Sequence, residues 1–212
     1  MPEHTGKRGR FLTVEGQDGA GKTTNLDRIE HIVRAAGHEV VRTREPGGTP
    51  LGDEIRRLVL HRGDLDIEPM AELLLIFAAR AQHLGAVIRP ALSAGVWVVC
   101  DRFTDATYAY QGGGRGVDPS AIAELEQRIQ GDLRPDLTLL LDVDIATGAL
   151  RAAGHDRFES EEKAFKHRVR EAYLARARIE PGRVRVVDAG RSLARVEKEV
   201  ESILRQFIDK HG

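Results

Sequence analysis

The chain has 212 residues, a length for one α/β domain rather than two, and its 32 Lys and Arg nearly cancel its 33 Asp and Glu. That balance excludes the strong basic excess of a polyanion binder, so no nucleic-acid partner is expected. The single cysteine, Cys100, excludes an internal disulfide, and the polar start and lack of a ~20-residue apolar run predict a cytoplasmic chain without signal peptide or membrane span.

Short β-rich runs alternate with helical patterns. Phe11–Glu15 reads as a strand, followed by a Gly-rich turn, a helix over 22–36 ended by Gly37, and a second strand over 38–43 that stops at Glu45-Pro46-Gly47-Gly48. Helical stretches follow over 51–61 and 69–93. Val96-Trp97-Val98-Val99-Cys100 is an unbroken apolar run, the pattern of a strand covered on both faces. Trp97 and Cys100 therefore read as core residues. A helix over 119–130, a strand over 137–143, a helix from Ile145, a strand over 183–188 and a closing helix over 193–208 complete the chain. Such alternation predicts a five-stranded parallel sheet flanked by helices on both faces, with ligands beyond the carboxyl ends of the strands.

The first strand runs directly into Gly16-Gln17-Asp18-Gly19-Ala20-Gly21-Lys22-Thr23, then Thr24, which matches G-x-x-x-x-G-K-[ST] in its required strand-to-helix setting. Glycines let successive N–H groups curl around one anion, and the helix N-terminus adds unpaired donors. In this pattern Lys22 bridges the β- and γ-phosphates of ATP and the Thr23 hydroxyl binds Mg²⁺. The loop does not disclose the acceptor, because kinases, switches and motors share it.

The acceptor side is read from three further segments. Arg44-Glu45-Pro46-Gly47-Gly48-Thr49 ends strand two, Asp101-Arg102-Phe103 ends strand three, and Ala109–Gly116 follows, with Arg80 on the long helix between them. Arg44, Arg80 and Arg102 are expected to converge where a second anion would sit beside the ATP phosphates, since guanidinium forks match phosphate oxygens.

Together with Phe77-Ala78-Ala79-Arg80-Ala81-Gln82-His83, these motifs resemble the bacterial thymidylate kinase family, in order and from Phe11 to the last helix. The resemblance implies a three-layer P-loop NTPase fold and ATP-dependent, Mg²⁺-assisted in-line phosphorylation of dTMP. It also implies a homodimer formed through helices remote from the active site. Asp18 would accept from the dTMP 3′-hydroxyl, and Arg44 and Arg102 would hold the acceptor phosphate beside Glu45 and Pro46. Arg80 would donate to thymine O4, Thr107 and Gln111 would complete the base and sugar contacts, and Tyr110 would exclude a ribose 2′-hydroxyl. Asp101 would lie near the metal with Thr23. Phe77 is the expected stacking residue, although relatives carry their stacking Phe at the place of Ile76. Ala106 stands where many relatives have Ser.

Residues 150–162 resemble the family's lid over ATP. With Gly19 at a loop position that is arginine in some relatives, the resemblance assigns the phosphoryl-stabilising charge to the lid. Arg157 is the first candidate and Arg151 the second. His83 reads as a structural histidine, and Arg168, Arg170, Arg176 and Arg178 read as a solvated helix face. Two rivals remain at this stage: a kinase for another nucleoside or nucleoside monophosphate, and a non-catalytic ATP-dependent switch.

Overall fold

The computed structural model describes residues 8–62, 65–151, 158 and 161–211. Strands β1 (Phe11–Glu15), β2 (Val40–Arg44), β3 (Trp97–Asp101), β4 (Leu137–Asp142) and β5 (Val184–Asp188) form one parallel sheet in the order β2-β3-β1-β4-β5. Every residue of β1 is buried, as a central strand covered on both faces requires. Side chains alternate between those faces. Leu12 and Val14 pack beneath helices α1 (Lys22–Ala35) and α9 (Leu193–His211), among Leu26, Ile29, Val196 and Val200.

Phe11 points the other way, to Leu84, Ile88 and Phe103. That opposite layer contains α2 (Pro50–His61), α3 (Pro69–His83), α4 (Arg89–Ser93), the short α5 (Thr104–Thr107), α6 (Pro119–Gln130) and α8 (Lys163–Ile179). The remaining helix, α7 (Ile145–Arg151), leads away from β4. The expected three-layer arrangement is thus present. Val14 lies opposite both Asp101 and Leu139, so the carboxyl ends of β1 and β3 lie within one residue of each other and β4 extends three residues past the end of β3, where the chain order reverses.

Three features depart from the sequence reading. First, α3 continues through a π-helical stretch, Leu84–Ile88, into α4, making a 25-residue helix that contains an 18-residue stretch of mean hydropathy 1.4. A run of bilayer-spanning length therefore exists, contrary to expectation, but half of it is buried within the fold and it carries buried Glu72 and Arg80. It is a core helix. Second, the Gly-rich segment after β3 is helical: α5 runs into a π-helical stretch, Tyr108–Gly114, pressed against α8. A Cβ on Gly114 would come within 2.5 Å of the Phe165 ring, so glycine allows this approach.

Third, the α8 arginines are not a simple solvated face. Arg170 makes a bidentate pair with Asp142, 2.7 Å on each arm, and Arg168 donates to the carbonyls of Gly113 and Gly114. Arg176 reaches the buried Asp105 at 3.2 Å, which Arg183 also grips at 2.7 and 2.9 Å. Carboxylates on the facing elements draw Arg170 and Arg176 into half-buried positions, while Arg168 stays exposed beside the carbonyls it caps and Arg178 is exposed as well.

Burial alone would raise the Asp105 pKa, but the Arg183 hydrogen bonds and charge, with Arg176, hold it below the usual carboxylate range. Removing Arg183 leaves a buried carboxylate short of its main partner. Arg183→Met is expected to lower the unfolding free energy in urea by about 3 kcal/mol. A loss under about 1 kcal/mol would show that Arg176 alone satisfies Asp105.

Candidate active site

The turn between β1 and α1 is shaped by contacts that only glycine tolerates. Gly16 (φ 136°) and Gly19 (φ 78°) are left-handed, and a Cβ would lie 2.4 Å from the Leu141 carbonyl at the first and 2.0 Å from that of Gly148 at the second. The loop thus closes tightly on β4 and α7. Lys22 folds back over it, donating to the carbonyls of Gly16 (3.2 Å) and Gln17 (3.0 Å) and approaching Asp18 at 3.4 Å. Burial and then the Arg102 charge lower its pKa.

Beside this loop opens a crevice of about 570 Å³, lined by residues 18–25 together with Asp101, Arg102 and Arg56. Its far wall is Arg151, Ala189, Arg191, Ser192 and Leu193. Arg151 is tied to that wall by a 2.7 Å hydrogen bond to the Ala189 carbonyl. Thr23 and Asp101 both line this crevice, and Asp101 Oδ1 is buried without a hydrogen-bond partner. A hydroxyl and an unsatisfied carboxylate oxygen are hard ligands suited to Mg²⁺ that keeps waters and phosphate oxygens in its other positions. No cluster of three His, Cys, Asp or Glu able to hold a metal occurs among the described residues.

A second, narrower crevice of about 80 Å³ shares Asp18, Glu45, Arg56 and Arg102 with the first, so the two are continuous. Its walls are Pro46, Ile76, Arg80, Phe103, Ala106, Thr107, Tyr110, Gln111 and Phe158. Arg80 is held between the rings of Phe77 and Phe103, 4.8 and 4.9 Å from their centroids, and donates to Glu45 (2.7 Å) and Thr107 (2.9 Å). Its Nη1 is buried with no partner, a donor left for a ligand. Gln111 gives its amide N–H to buried Glu72 at 2.9 Å.

Arg102 sits at the seam. It is the one non-glycine residue among those described with a left-handed backbone (φ 66°), a conformation costing on the order of 1 kcal/mol or more. Its N–H donates to the Val14 carbonyl (3.0 Å), and the next N–H, on Phe103, donates to Glu15 (2.6 Å). Its guanidinium donates to Asp18 (2.7 Å), the Gly16 carbonyl (2.9 Å) and the Tyr173 hydroxyl (3.2 Å), and lies 4.9 Å from the Tyr110 ring. Burial would raise the Asp18 pKa, but Arg102 and Lys22 hold it below the usual carboxylate range.

The expected residues are not all gathered here. Asp18, Gly19, Ala20, Gly21, Lys22, Thr23, Thr24, Asp101, Arg102 and Arg151 line the first crevice; Glu45, Pro46, Arg80, Thr107, Tyr110 and Gln111 line the second. Gly16 and Gln17 lie beneath and contribute carbonyls. Arg44 is not brought in: it shares the outward face of β2 with Arg42 and pairs at 3.2 Å with Asp53. Phe77 is not a wall either. It lies beneath the Arg80 guanidinium, and Ile76, one residue and about 100° earlier on the helix, lines the crevice instead. Arg157 lies outside the described residues. Two arginines were missed. Arg191 follows β5, and Arg56 flanks both crevices while donating to the Pro46 carbonyl at 3.1 Å. The phase of α2 was the available signal: buried Ile55 and Val59 set an apolar stripe that leaves Arg57 outside and Arg56 at its border.

Glu15, beneath Arg102, accepts from the Tyr173 hydroxyl at 2.9 Å, and its pKa is pushed from 4.5 to about 8 by burial and then by the Asp105 charge. A carboxyl raised in the fold contributes stability that is complete below about pH 4.5 and is lost as pH rises through about 8. Denaturation midpoints measured between pH 5.5 and 8.5 are expected to fall with pH in the parent chain and to stay nearly level in Glu15→Gln. Equal slopes would contradict this.

Residues 14–200 match the sequence profile of the family described as Thymidylate kinase. The chain is 55% identical over 204 residues to a thymidylate kinase of Pseudomonas syringae pv. tomato, covering 95% of this chain and 97% of that one. It is 53% identical over 206 residues to one from Methylococcus capsulatus, covering 96% and 98%. The crystal structure of thymidylate kinase from Ehrlichia chaffeensis superposes with a TM-score of 0.76 at 36% identity, over 93% of this chain and 99% of that one.

Proposed function

The chain belongs to the thymidylate kinase family, and from that membership and the two joined crevices we infer that it transfers the γ-phosphoryl group of ATP to dTMP, giving ADP and dTDP. The observation that carries the reading is the seam: a nucleotide-phosphate loop and a base-sized pocket share Asp18, Arg56 and Arg102. A phosphate at the mouth of each pocket would meet the other across Arg102.

The larger crevice takes ATP, with its phosphates on the loop N–H groups and Lys22 and its adenosine toward Arg151 and Arg191. The narrower one takes dTMP. Arg80 Nη1 then meets thymine O4, Thr107 and Gln111 face the base edge, Ile76 and Phe103 give apolar contact, and Tyr110 crowds the 2′ position of the sugar. Asp18 accepts from the 3′-hydroxyl. Arg56 and Arg102 hold the acceptor phosphate, whose oxygen is already anionic and attacks in line without a strong base. Ligand binding must first replace the Lys22–Asp18 and Arg102–Asp18 pairs.

Thr23 and Asp101 would hold Mg²⁺, which when bound offsets charge on the β- and γ-phosphate oxygens. Arg157 is retained as the lid charge, with Arg151 as its alternative. Positioning and charge neutralisation supply the catalysis, because the chemistry needs no covalent intermediate. The buried free thiol of Cys100 fits a reducing cytoplasm.

Coupled ADP-release assays test the function. Turnover should require dTMP, with thymidine and AMP giving little, and Lys22→Ala should nearly abolish it; ATP hydrolysis indifferent to dTMP would overturn the assignment. Arg56→Ala should raise the dTMP KM by tenfold or more while Arg44→Ala stays within about threefold, roughly the difference between losing and keeping one charge-assisted bond. The reverse order would restore Arg44 as the phosphate ligand.

We also propose a homodimer through α3. Its surface opposite Arg80 carries Met70 and Leu74, each about half exposed at 46% and 51%, in line with Ala78 and Ala81, while Leu51 on α2 adds 52% exposure. Leu74→Glu combined with Ala78→Arg should convert the protein to monomer in light scattering. An unchanged mass would place the contact elsewhere.

A further inference from the structure

Behind Arg80 lies a second layer of buried polar groups that the phosphoryl transfer does not use. Glu45 is buried and spends one oxygen on Arg80 Nε at 2.7 Å. Its other oxygen is 2.9 Å from Nδ1 of His83, which is wholly buried one turn further along α3. A carboxylate has no hydrogen to offer, so Nδ1 is the donor. The opposite ring nitrogen, Nε2, shares a 2.6 Å hydrogen bond with the Thr43 hydroxyl on β2. The ring has no room to shift. Gly48 (φ 74°) packs its backbone so closely that a Cβ there would lie 2.6 Å from Nε2.

We propose that His83 is a positioning residue for base selection: clamped by Thr43 and Gly48, it fixes the Glu45 carboxylate, which in turn aims the unpartnered Nη1 of Arg80 into the narrow crevice. The inference rests on the reading that Arg80 faces the base. A guanidinium bears donors only, so it favours a carbonyl at the base position it meets and repels an amino group there. Its discrimination depends on direction, and Nε held by a fixed carboxylate sets that direction. Without His83, Glu45 keeps Arg80 but loses its second buried donor and is free to rotate or admit water.

The test compares dTMP with dCMP, whose base carries an amino group where thymine has O4. For His83→Leu, the dTMP KM should rise about tenfold and the dTMP-to-dCMP ratio of kcat/KM should fall by a similar factor, with the ATP KM within twofold. His83→Asn, which keeps an N–H near the place of Nδ1, should recover most of the ratio. Thr43→Val should shift it in the same direction as His83→Leu but less, and decides the question alone if His83→Leu does not fold. An unchanged ratio in Thr43→Val and His83→Leu, or equal rises in the KM for ATP and dTMP, overturns the proposal. Arg80→Met separates the two readings. If it too leaves the ratio unchanged, Arg80 does not read the base; if it abolishes the ratio while His83→Leu preserves it, only the role of His83 fails.

Discussion

The site depends on one guanidinium held where an arginine backbone does not ordinarily rest. At the end of β3 the chain turns through a left-handed Arg102, and three groups make that turn tenable: the Val14 carbonyl, the Glu15 carboxyl and the Tyr173 hydroxyl. The strain cost, on the order of 1 kcal/mol or more, is offset by hydrogen bonds that a solvent-facing arginine would not make. The result is a charge fixed at the boundary of two crevices instead of a mobile one at the surface. Two anionic esters repel each other, so in the proposed function a cation pinned between them would both join the pockets and set the line of transfer.

The same device recurs around the narrower crevice. Three polar side chains that line it are backed by buried acidic groups: Arg102 by Glu15 through Tyr173, Arg80 by Glu45, and Gln111 by Glu72. Desolvated carboxylates are costly unless paired, so they enforce a single geometry on their partners. Farther out, Asp105 with Arg176 and Arg183 ties α8 to β5 below the site. Lys22 and Arg102 both pair with Asp18, which offsets the positive charge of the cradle.

The sheet, the phosphate loop and the Asp101-Arg102 turn were legible because each is encoded locally. An apolar run makes a central strand, and glycines at a strand-to-helix junction make a cradle. The arginine inventory was harder to sort. Whether Arg44 or Arg56 turns inward depends on the face of β2 and on the phase of α2 against its neighbours, neither of which the motif states. Phe77 and Ile76 differ by about 100° around α3, and only the packed helix shows that the ring supports Arg80 while the aliphatic side chain meets the crevice. The helical Gly-rich segment Tyr108–Gly114 gave no apolar period because three of its residues carry no side chain. The inward-turned arginines of α8 were hidden for another reason: their partners, Asp105 and Asp142, are remote in sequence.

The fork geometry of Arg102 is separable from its charge. Arg102→Lys keeps a cation but loses the planar pair of donors. The decisive measurement is the single-turnover rate of phosphoryl transfer with ATP and dTMP both saturating. A fall of about 10²–10³-fold is predicted, the scale of losing one aligned donor to a developing charge. A rate within twofold of the parent chain would show that the fixed guanidinium is not what brings the two phosphates together.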